Sequence, residues 1–167
     1  MHDIQPIIDR VRKVLATHEL DRPGAYARWI WQNEDSSREL GLNEYGCADA
    51  ANILYMIGAF PQDPKERASW IGVLQGFQDP TTGLFNEATH HPYHTTAHCI
   101  AALELFDARP KYELTDLHRY LDREELYLFL DGLHWERDPW IASHQGAGIY
   151  AALVLAGETT RTWQDWY

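Results

Sequence analysis

Residues 90–110 read HHPYHTTAHCIAALELFDARP. A histidine-rich opening gives way to a run dominated by Ala, Leu and Ile, and a proline ends the segment. A helix that is apolar around most of its circumference is buried on several sides, and proline is common just past a helix end. The segment therefore predicts a buried helix that begins near His94 and stops before Pro110.

Two other segments repeat this pattern. Residues 45–61 read YGCADAANILYMIGAFP, and residues 144–157 read HQGAGIYAALVLAG. When the Ala/Leu cores and the final Pro or Gly are aligned, Tyr45, His94 and His144 share one position, at intervals of 49 and 50 residues. A fixed period of this size is typical of a repeat architecture. We therefore predict three related buried helices.

A more amphipathic helix is predicted before each buried one. Residues 4–17 carry apolar side chains at helical spacing on one face and charged side chains on the other. The second amphipathic helix starts at Pro64, after the capping residue Asp63, and runs to about position 77. The third runs from position 115 or 116 to about 133. Polar-faced outer helices thus alternate with apolar inner helices.

These patterns predict an all-α chain of about six main helices, built from helical-hairpin repeats. The repeat units lie at about 1–61, 62–110 and 111–158, and residues 159–167 begin a further helix. A length of 167 residues suits a single domain or a fragment of a larger one.

Composition limits the partners and the compartment. The net charge of −11 argues against nucleic acid and against an anionic membrane surface. No apolar run approaches the roughly 20 residues of a membrane span. The two cysteines form no CxxC pattern, which favours reduced thiols. We therefore expect a cytoplasmic protein with no nucleic-acid or membrane partner.

The second repeat resembles a known family. Residues 77–85 read FQDPTTGLF and residues 94–105 read HTTAHCIAALEL. A Gln and a Gly-aromatic turn, followed by a Thr-Ala helix start, resemble the repeat of the terpenoid cyclase and protein prenyltransferase superfamily. The resemblance covers residues 63–110 well and the flanking units loosely.

The resemblance implies an α/α toroid, a double ring of helices whose site lies at the mouth where the inner helices begin. A complete ring of this kind needs more helices than the six main ones predicted here. The resemblance therefore implies an incomplete ring, either a homo-oligomer or a chain whose C-terminal half of the ring is missing.

Titratable side chains concentrate at the predicted inner-helix starts. The predicted catalytic residues are His94, His98, Asp49, Tyr45 and His144. His94 and His98 are four residues apart, so they share one helix face. A Tyr/His pair at a shared mouth can act as acid and base in hydrolase or lyase chemistry on a sugar. The alternative is that His94 lines the cleft and His98 is a hydrogen-bonded core histidine.

A metal is a second hypothesis for the same residues. Two histidines and one carboxylate, His94, His98 and Asp49, match the ligand number of an open catalytic zinc site. A divalent cofactor such as zinc is therefore a candidate.

Aromatic and polar side chains near these helix starts are predicted to bind substrate: Trp135, Trp140, His90, His91 and Asn52. Indole rings stack on sugar rings or, alternatively, seal helix ends. The leading hypothesis is an enzyme that acts on a small-molecule or oligosaccharide ligand of carbohydrate-like polarity. The alternatives are a non-catalytic half-toroid that binds or assembles with a partner, and a prenyl- or terpenoid-processing enzyme.

Overall fold

The computed structural model describes residues 3–32 and 38–167. These residues form seven α-helices and one 3₁₀ helix: α1 (Gln5–His18), α2 (Glu44–Met56), α3 (Pro64–Gln75), α4 (Pro92–Glu104), the 3₁₀ helix (Thr115–Leu121), α5 (Arg123–Gly132), α6 (Pro139–Leu155) and α7 (Arg161–Gln164). Only isolated β-bridges occur in the described ranges, and none extends into a strand. The all-α prediction is confirmed.

The chain divides into two compact units, residues 1–76 and residues 77–167. Within the described residues, no helix has both the length and the apolar character needed to cross a bilayer.

The first unit is built around the start of α2 and the middle of α3. Asn43 caps α2, because its side-chain oxygen accepts a hydrogen bond from the Gly46 backbone N–H at 3.1 Å. Trp70 of α3 is buried, and its ring centroid lies 5.3 Å from that of Tyr26. In contrast, α1 has no buried residue, and the Ile7 side chain on its surface is 64% exposed.

The second unit is organised by the packing of α4 against α6. A Cβ atom placed on Gly148 of α6 would lie 2.7 Å from the Tyr93 carbonyl carbon and 2.9 Å from the His94 nitrogen of α4. Real Cβ atoms do not approach backbone so closely, so only glycine permits this contact. Ile100 and Leu153, both fully buried, extend the apolar core of this unit along the two helices.

A buried glutamine fixes the turn before α4. The Gln78 side chain donates to the carbonyls of Gly83, at 2.8 Å, and Tyr112, at 2.7 Å. Its Oε1 atom accepts from the backbone N–H groups of Lys111, at 2.8 Å, and Tyr112, at 2.9 Å. Gly83 has φ +75°, and a Cβ there would overlap the Glu113 carbonyl. The Gln and Gly of the FQDPTTGLF stretch therefore hold the turn against residues 111–113.

The third outer helix differs from its sequence prediction. A continuous helix is predicted from 115 to 133, but the segment begins as a 3₁₀ helix and restarts as α5. Asp122 causes the break, because its carboxylate accepts from the backbone N–H groups of Glu124 and Glu125 and so caps a new helix.

The third inner helix also begins earlier than its pattern indicates. The alignment places its start at His144, whereas α6 begins at Pro139. Asp138 accepts from the Ile141 backbone N–H at 3.2 Å, so Asp138 and Pro139 form the same cap-and-proline start that Asp63 and Pro64 give α3. His144 therefore lies more than one turn inside the helix.

We predict that Gly148→Ala destabilises the unit 77–167, because the new methyl group meets the α4 backbone. Overpacking of this kind costs about 1–3 kcal/mol. Gly132→Ala in α5 is the matched control, since a Cβ there meets nothing within 4 Å. The measurement is the urea midpoint followed by circular dichroism. A Gly148→Ala protein as stable as the Gly132→Ala protein would contradict the close approach of α4 and α6.

Candidate functional site

Four histidine rings form a cluster at the start of α4 and inside α6. The His94 ring stacks on the His144 ring, with centroids 4.2 Å apart and planes at 29°. The His90 and His98 rings lie 5.8 and 6.5 Å from the His94 ring, with interplanar angles of 19° and 11°. We call these four side chains the histidine cluster. His94 is its centre, because each of the other three rings is near it.

The position of His94 lowers its pKa to about 4. Burial is the first cause, because a charged imidazolium loses water there, and the positive charges of His144, His98 and His90 add repulsion. His94 is therefore neutral at neutral pH. A neutral imidazole offers one nitrogen lone pair that accepts a proton or a hydrogen bond.

A buried carboxylate supports the edge of the cluster at His90. The Glu87 side chain is only 4% exposed, and its Oε2 atom lies 3.1 Å from His90 Nδ1. The same oxygen accepts hydrogen bonds from the Thr89 hydroxyl at 2.7 Å and the Thr89 backbone N–H at 2.8 Å. Glu87, Thr89 and His90 thus form a hydrogen-bonded group in the loop just before α4, and this group orients the His90 ring.

The two predicted substrate-binding tryptophans have different environments. Trp140 is 69% exposed, and its ring centroid lies 4.6 Å from that of His144. Trp135 donates its indole N–H to the Leu130 carbonyl at 2.8 Å, and its ring lies over Gly146 of α6. Trp140 therefore extends the histidine cluster as an exposed aromatic surface, whereas Trp135 closes the α5–α6 connection.

His91 and Asn52 also have defined places. His91 caps α4, with Nδ1 accepting from the Tyr93 backbone N–H at 3.2 Å. Burial lowers its pKa. Asn52 donates its side-chain amide to the Ala48 carbonyl within α2, at 2.9 Å. His91 faces a cavity of the second unit, whereas Asn52 belongs to the first unit.

Tyr45 and Asp49 lie in the first unit. The Tyr45 side chain is buried, and the Arg28 guanidinium carbon is 5.0 Å from its ring centroid. Asp49 is exposed and lines a cavity of about 170 Å³ together with Arg28 and His18. The structure thus brings together the histidine cluster and Trp140. The joint action of Tyr45 and Asp49 with that cluster stays a prediction.

The positions of His94, His98 and Asp49 can be compared with the metal site predicted for them. Of the three predicted ligands, His94 and His98 lie on α4 with ring centroids 6.5 Å apart, whereas Asp49 lies in the first unit. Across the part of the chain that the structure describes, no group of three or more His, Cys, Asp or Glu side chains is arranged to hold a metal ion. A metal bound by His94, His98 and Asp49 therefore stays a prediction.

One side-chain cluster in the structure is not predicted from the sequence. Arg119 of the 3₁₀ helix donates from Nη2 to the hydroxyl oxygens of Tyr93, at 3.0 Å, and Tyr120, at 2.6 Å. The two hydroxyl oxygens are 3.1 Å apart. No spacing pattern joins position 93 to positions 119 and 120, so this contact between two elements has no local sequence signal.

We predict that the free energy of unfolding decreases as the pH falls, because the unfolded state binds a proton at His94 more readily than the folded state does. The unfolded pKa of His94 is near 6.5 and its folded pKa is about 4, so the unfolded state takes up the proton first between these values. Stability is therefore lost as the pH falls from 6.5 towards 4. His94→Gln should lose less stability than the wild type between about pH 7.5 and pH 5, measured by urea midpoints.

His134→Gln is the control for this effect, because His134 is exposed and outside the histidine cluster. Its pH dependence should match that of the wild type. An equal pH dependence in the His94→Gln protein and the wild type would contradict a depressed His94 pKa.

No family model matches the sequence, and neither a curated protein nor a solved structure matches the chain.

Proposed function

We propose that the protein is an enzyme that acts on a carbohydrate-like polar substrate by hydrolase or lyase chemistry, with the histidine cluster as its proton-transfer site. One observation carries the proposal. His94 is held neutral, with a pKa of about 4, in direct stacking contact with His144. Perturbed titratable groups that converge on one place are typical of catalytic sites.

His94 is the proton acceptor in this proposal. Hydrolysis needs a base that removes a proton from water, and lyase chemistry needs one that removes a proton from carbon. His94 is unprotonated at neutral pH, so it is ready to accept. A proton on His94 is repelled by any charge on His144, which favours its return to the leaving group.

Trp140 is the substrate platform. Its indole face is largely exposed and adjoins His144. Sugar rings present C–H groups that pack on aromatic faces, while their hydroxyls bond to neighbouring polar groups. A sugar stacked on Trp140 would therefore lie beside the histidine rings.

The architecture proposed for this enzyme is part of an α/α toroid. Along the chain, helices with few buried residues, α1, α3 and α5, alternate with helices that have more, α2, α4 and α6, and this order supports the proposal. In this arrangement Tyr45 and Asp49 are further proposed catalytic residues. A cytoplasmic location, the lack of nucleic-acid and membrane partners, and a prenyl or terpenoid substrate stay predictions.

The test is turnover of a panel of neutral and acidic oligosaccharides by the full chain. New reducing ends report hydrolysis, and the ultraviolet absorbance of an unsaturated product reports a lyase. His94→Gln should lower kcat/KM about 10²-fold or more, as loss of a general base does. Trp140→Ala should raise KM more than it lowers kcat, because it removes substrate contact.

The acid limb of kcat/KM gives an independent readout. It should fall through about pH 4 in the free enzyme, because that limb reports the pKa of the base. His134→Gln should match the wild type. The proposal is wrong if the wild type turns over no member of the panel, or if His94→Gln retains full activity.

A second candidate function is assembly with a further copy of the chain. The observation that favours it is the surface of α1 and of its N-cap residue Ile4, where Ile4, Ile7 and Val14 are all more than half exposed. These side chains recur at helical spacing and form an apolar stripe, and soluble proteins use such surfaces for contacts.

Sedimentation velocity tests this second function. We expect the wild type to sediment as a dimer or larger species and Ile7→Glu to shift it towards the monomer, because a charge in an apolar interface is costly. Lys13→Glu, also on α1, should leave the wild-type distribution unchanged. A wild type that stays monomeric at every concentration would exclude this assembly.

A further inference from the structure

The unit 77–167 contains a cavity whose polar lining is separate from the histidine cluster. It has a volume of about 230 Å³ and lies between the start of α4, the 3₁₀ helix, α5 and α6. Its polar lining comes from His91, Tyr93, Arg119, Tyr120, Glu125 and Gln145. We call it the Arg119 cavity. His94 and the other rings of the histidine cluster are not part of its lining.

The Arg119 cavity has more hydrogen-bond donors than its own contacts use. Arg119 uses Nη2 to donate to the two tyrosine hydroxyl oxygens, and within residues 3–32 and 38–167 its Nη1 and Nε groups have no hydrogen-bond acceptor. The hydroxyls of Tyr93 and Tyr120 carry two hydrogens, and the bond between them uses one. The second hydroxyl hydrogen has no protein acceptor among the described residues.

His91 adds another donor. Its Nδ1 atom accepts the Tyr93 backbone N–H, so the proton of the neutral ring sits on Nε2. Burial lowers the His91 pKa and keeps the ring neutral. A guanidinium, a tyrosine hydroxyl and an imidazole N–H together suit a group with several acceptor lone pairs and a negative charge. A carboxylate is such a group, and guanidinium binds it in two-point geometry.

The same cavity carries one negative charge. Glu125 lines it, and within the described residues its carboxylate forms no ion pair. A ligand with only a carboxylate would meet repulsion from Glu125, whereas a ligand that also carries an ammonium group would satisfy both charges. The charge balance therefore favours a zwitterion.

The remaining lining is apolar. Leu128 and Phe129 line the Arg119 cavity and also a neighbouring cavity of about 490 Å³, whose lining is mixed, with Leu133, Ile141 and Ala142 beside His134, Asp138 and Gln145. An apolar side chain of the ligand that lies against Leu128 and Phe129 would be removed from water there. A ligand with a carboxylate, an ammonium group and an apolar side chain would match this lining.

We propose that the Arg119 cavity binds a free α-amino acid with an apolar side chain. Arg119, one tyrosine hydroxyl and His91 hold its carboxylate, and Glu125 holds its ammonium group. The apolar side chain lies against Leu128 and Phe129. The site uses neither the histidine cluster nor Trp140, on which the proposed enzyme activity rests, and it assigns His91 to the amino acid instead of to the predicted sugar substrate.

Calorimetric titration of the full chain with L-phenylalanine, phenylpropanoate and phenethylamine tests the proposal. L-Phenylalanine has both charges, and each analogue lacks one, so L-phenylalanine should bind at least about tenfold more tightly than either, as loss of one charged hydrogen bond implies. Arg119→Gln should weaken L-phenylalanine binding by a similar factor. Glu125→Gln should weaken it too, while it strengthens or preserves binding of phenylpropanoate.

Two matched controls isolate the site. Arg123→Gln removes a guanidinium that contacts Tyr127, and Glu124→Gln removes a carboxylate next to Glu125 in sequence. Neither residue lines the Arg119 cavity, and neither variant should change binding. Circular dichroism checks that each variant is folded, and Glu125, which is exposed, provides a test that does not disturb the tyrosine pair.

The proposal is wrong if the wild type does not bind L-phenylalanine or if L-phenylalanine and phenylpropanoate bind equally tightly. It is also wrong if Arg123→Gln weakens L-phenylalanine binding as much as Arg119→Gln does.

Discussion

The contact of Gly148 with the backbone of Tyr93 and His94 is the constraint on which the second unit depends. Because glycine has no side chain, α4 and α6 approach closely enough for the His94 and His144 rings to stack at 4.2 Å. That proximity brings His144 towards His94, and its charge adds to partial burial of the ring and to the charges of His98 and His90 in lowering the His94 pKa. Trp140, one turn before His144 on α6, is placed beside the cluster by the same packing.

The start of α4 contributes side chains to two sites that differ in their chemistry. His94 belongs to the histidine cluster, whereas its neighbour Tyr93 shares a hydrogen-bond network with Arg119. Successive helical residues point about 100° apart, so adjacent side chains reach different surroundings. The histidine cluster suits proton transfer because its central ring is neutral. The Arg119 cavity suits a charged ligand because its donors exceed its internal acceptors. One close helix pair therefore supports two proposals.

Part of this arrangement was predictable because it is local. The Ala- and Leu-rich run after His94 predicts α4, and the four-residue spacing predicts that His94 and His98 share a face. The start of α6 was missed because Asp138-Pro139 resembles a turn as much as a helix cap. The Arg119 network was missed because it joins residues 26 positions apart, where no periodicity applies. The role of Gly148 depends on the three-dimensional distance to α4, which no sequence pattern gives.

The titration of the His94 imidazole in the intact chain, followed by nuclear magnetic resonance, tests the central claim most directly. The close packing of α4 on α6 predicts a midpoint of about 4, well below the titration of an ordinary histidine. A His94 midpoint near 6.5 would contradict the account, because it would mean that the ring is neither buried nor held against other histidines.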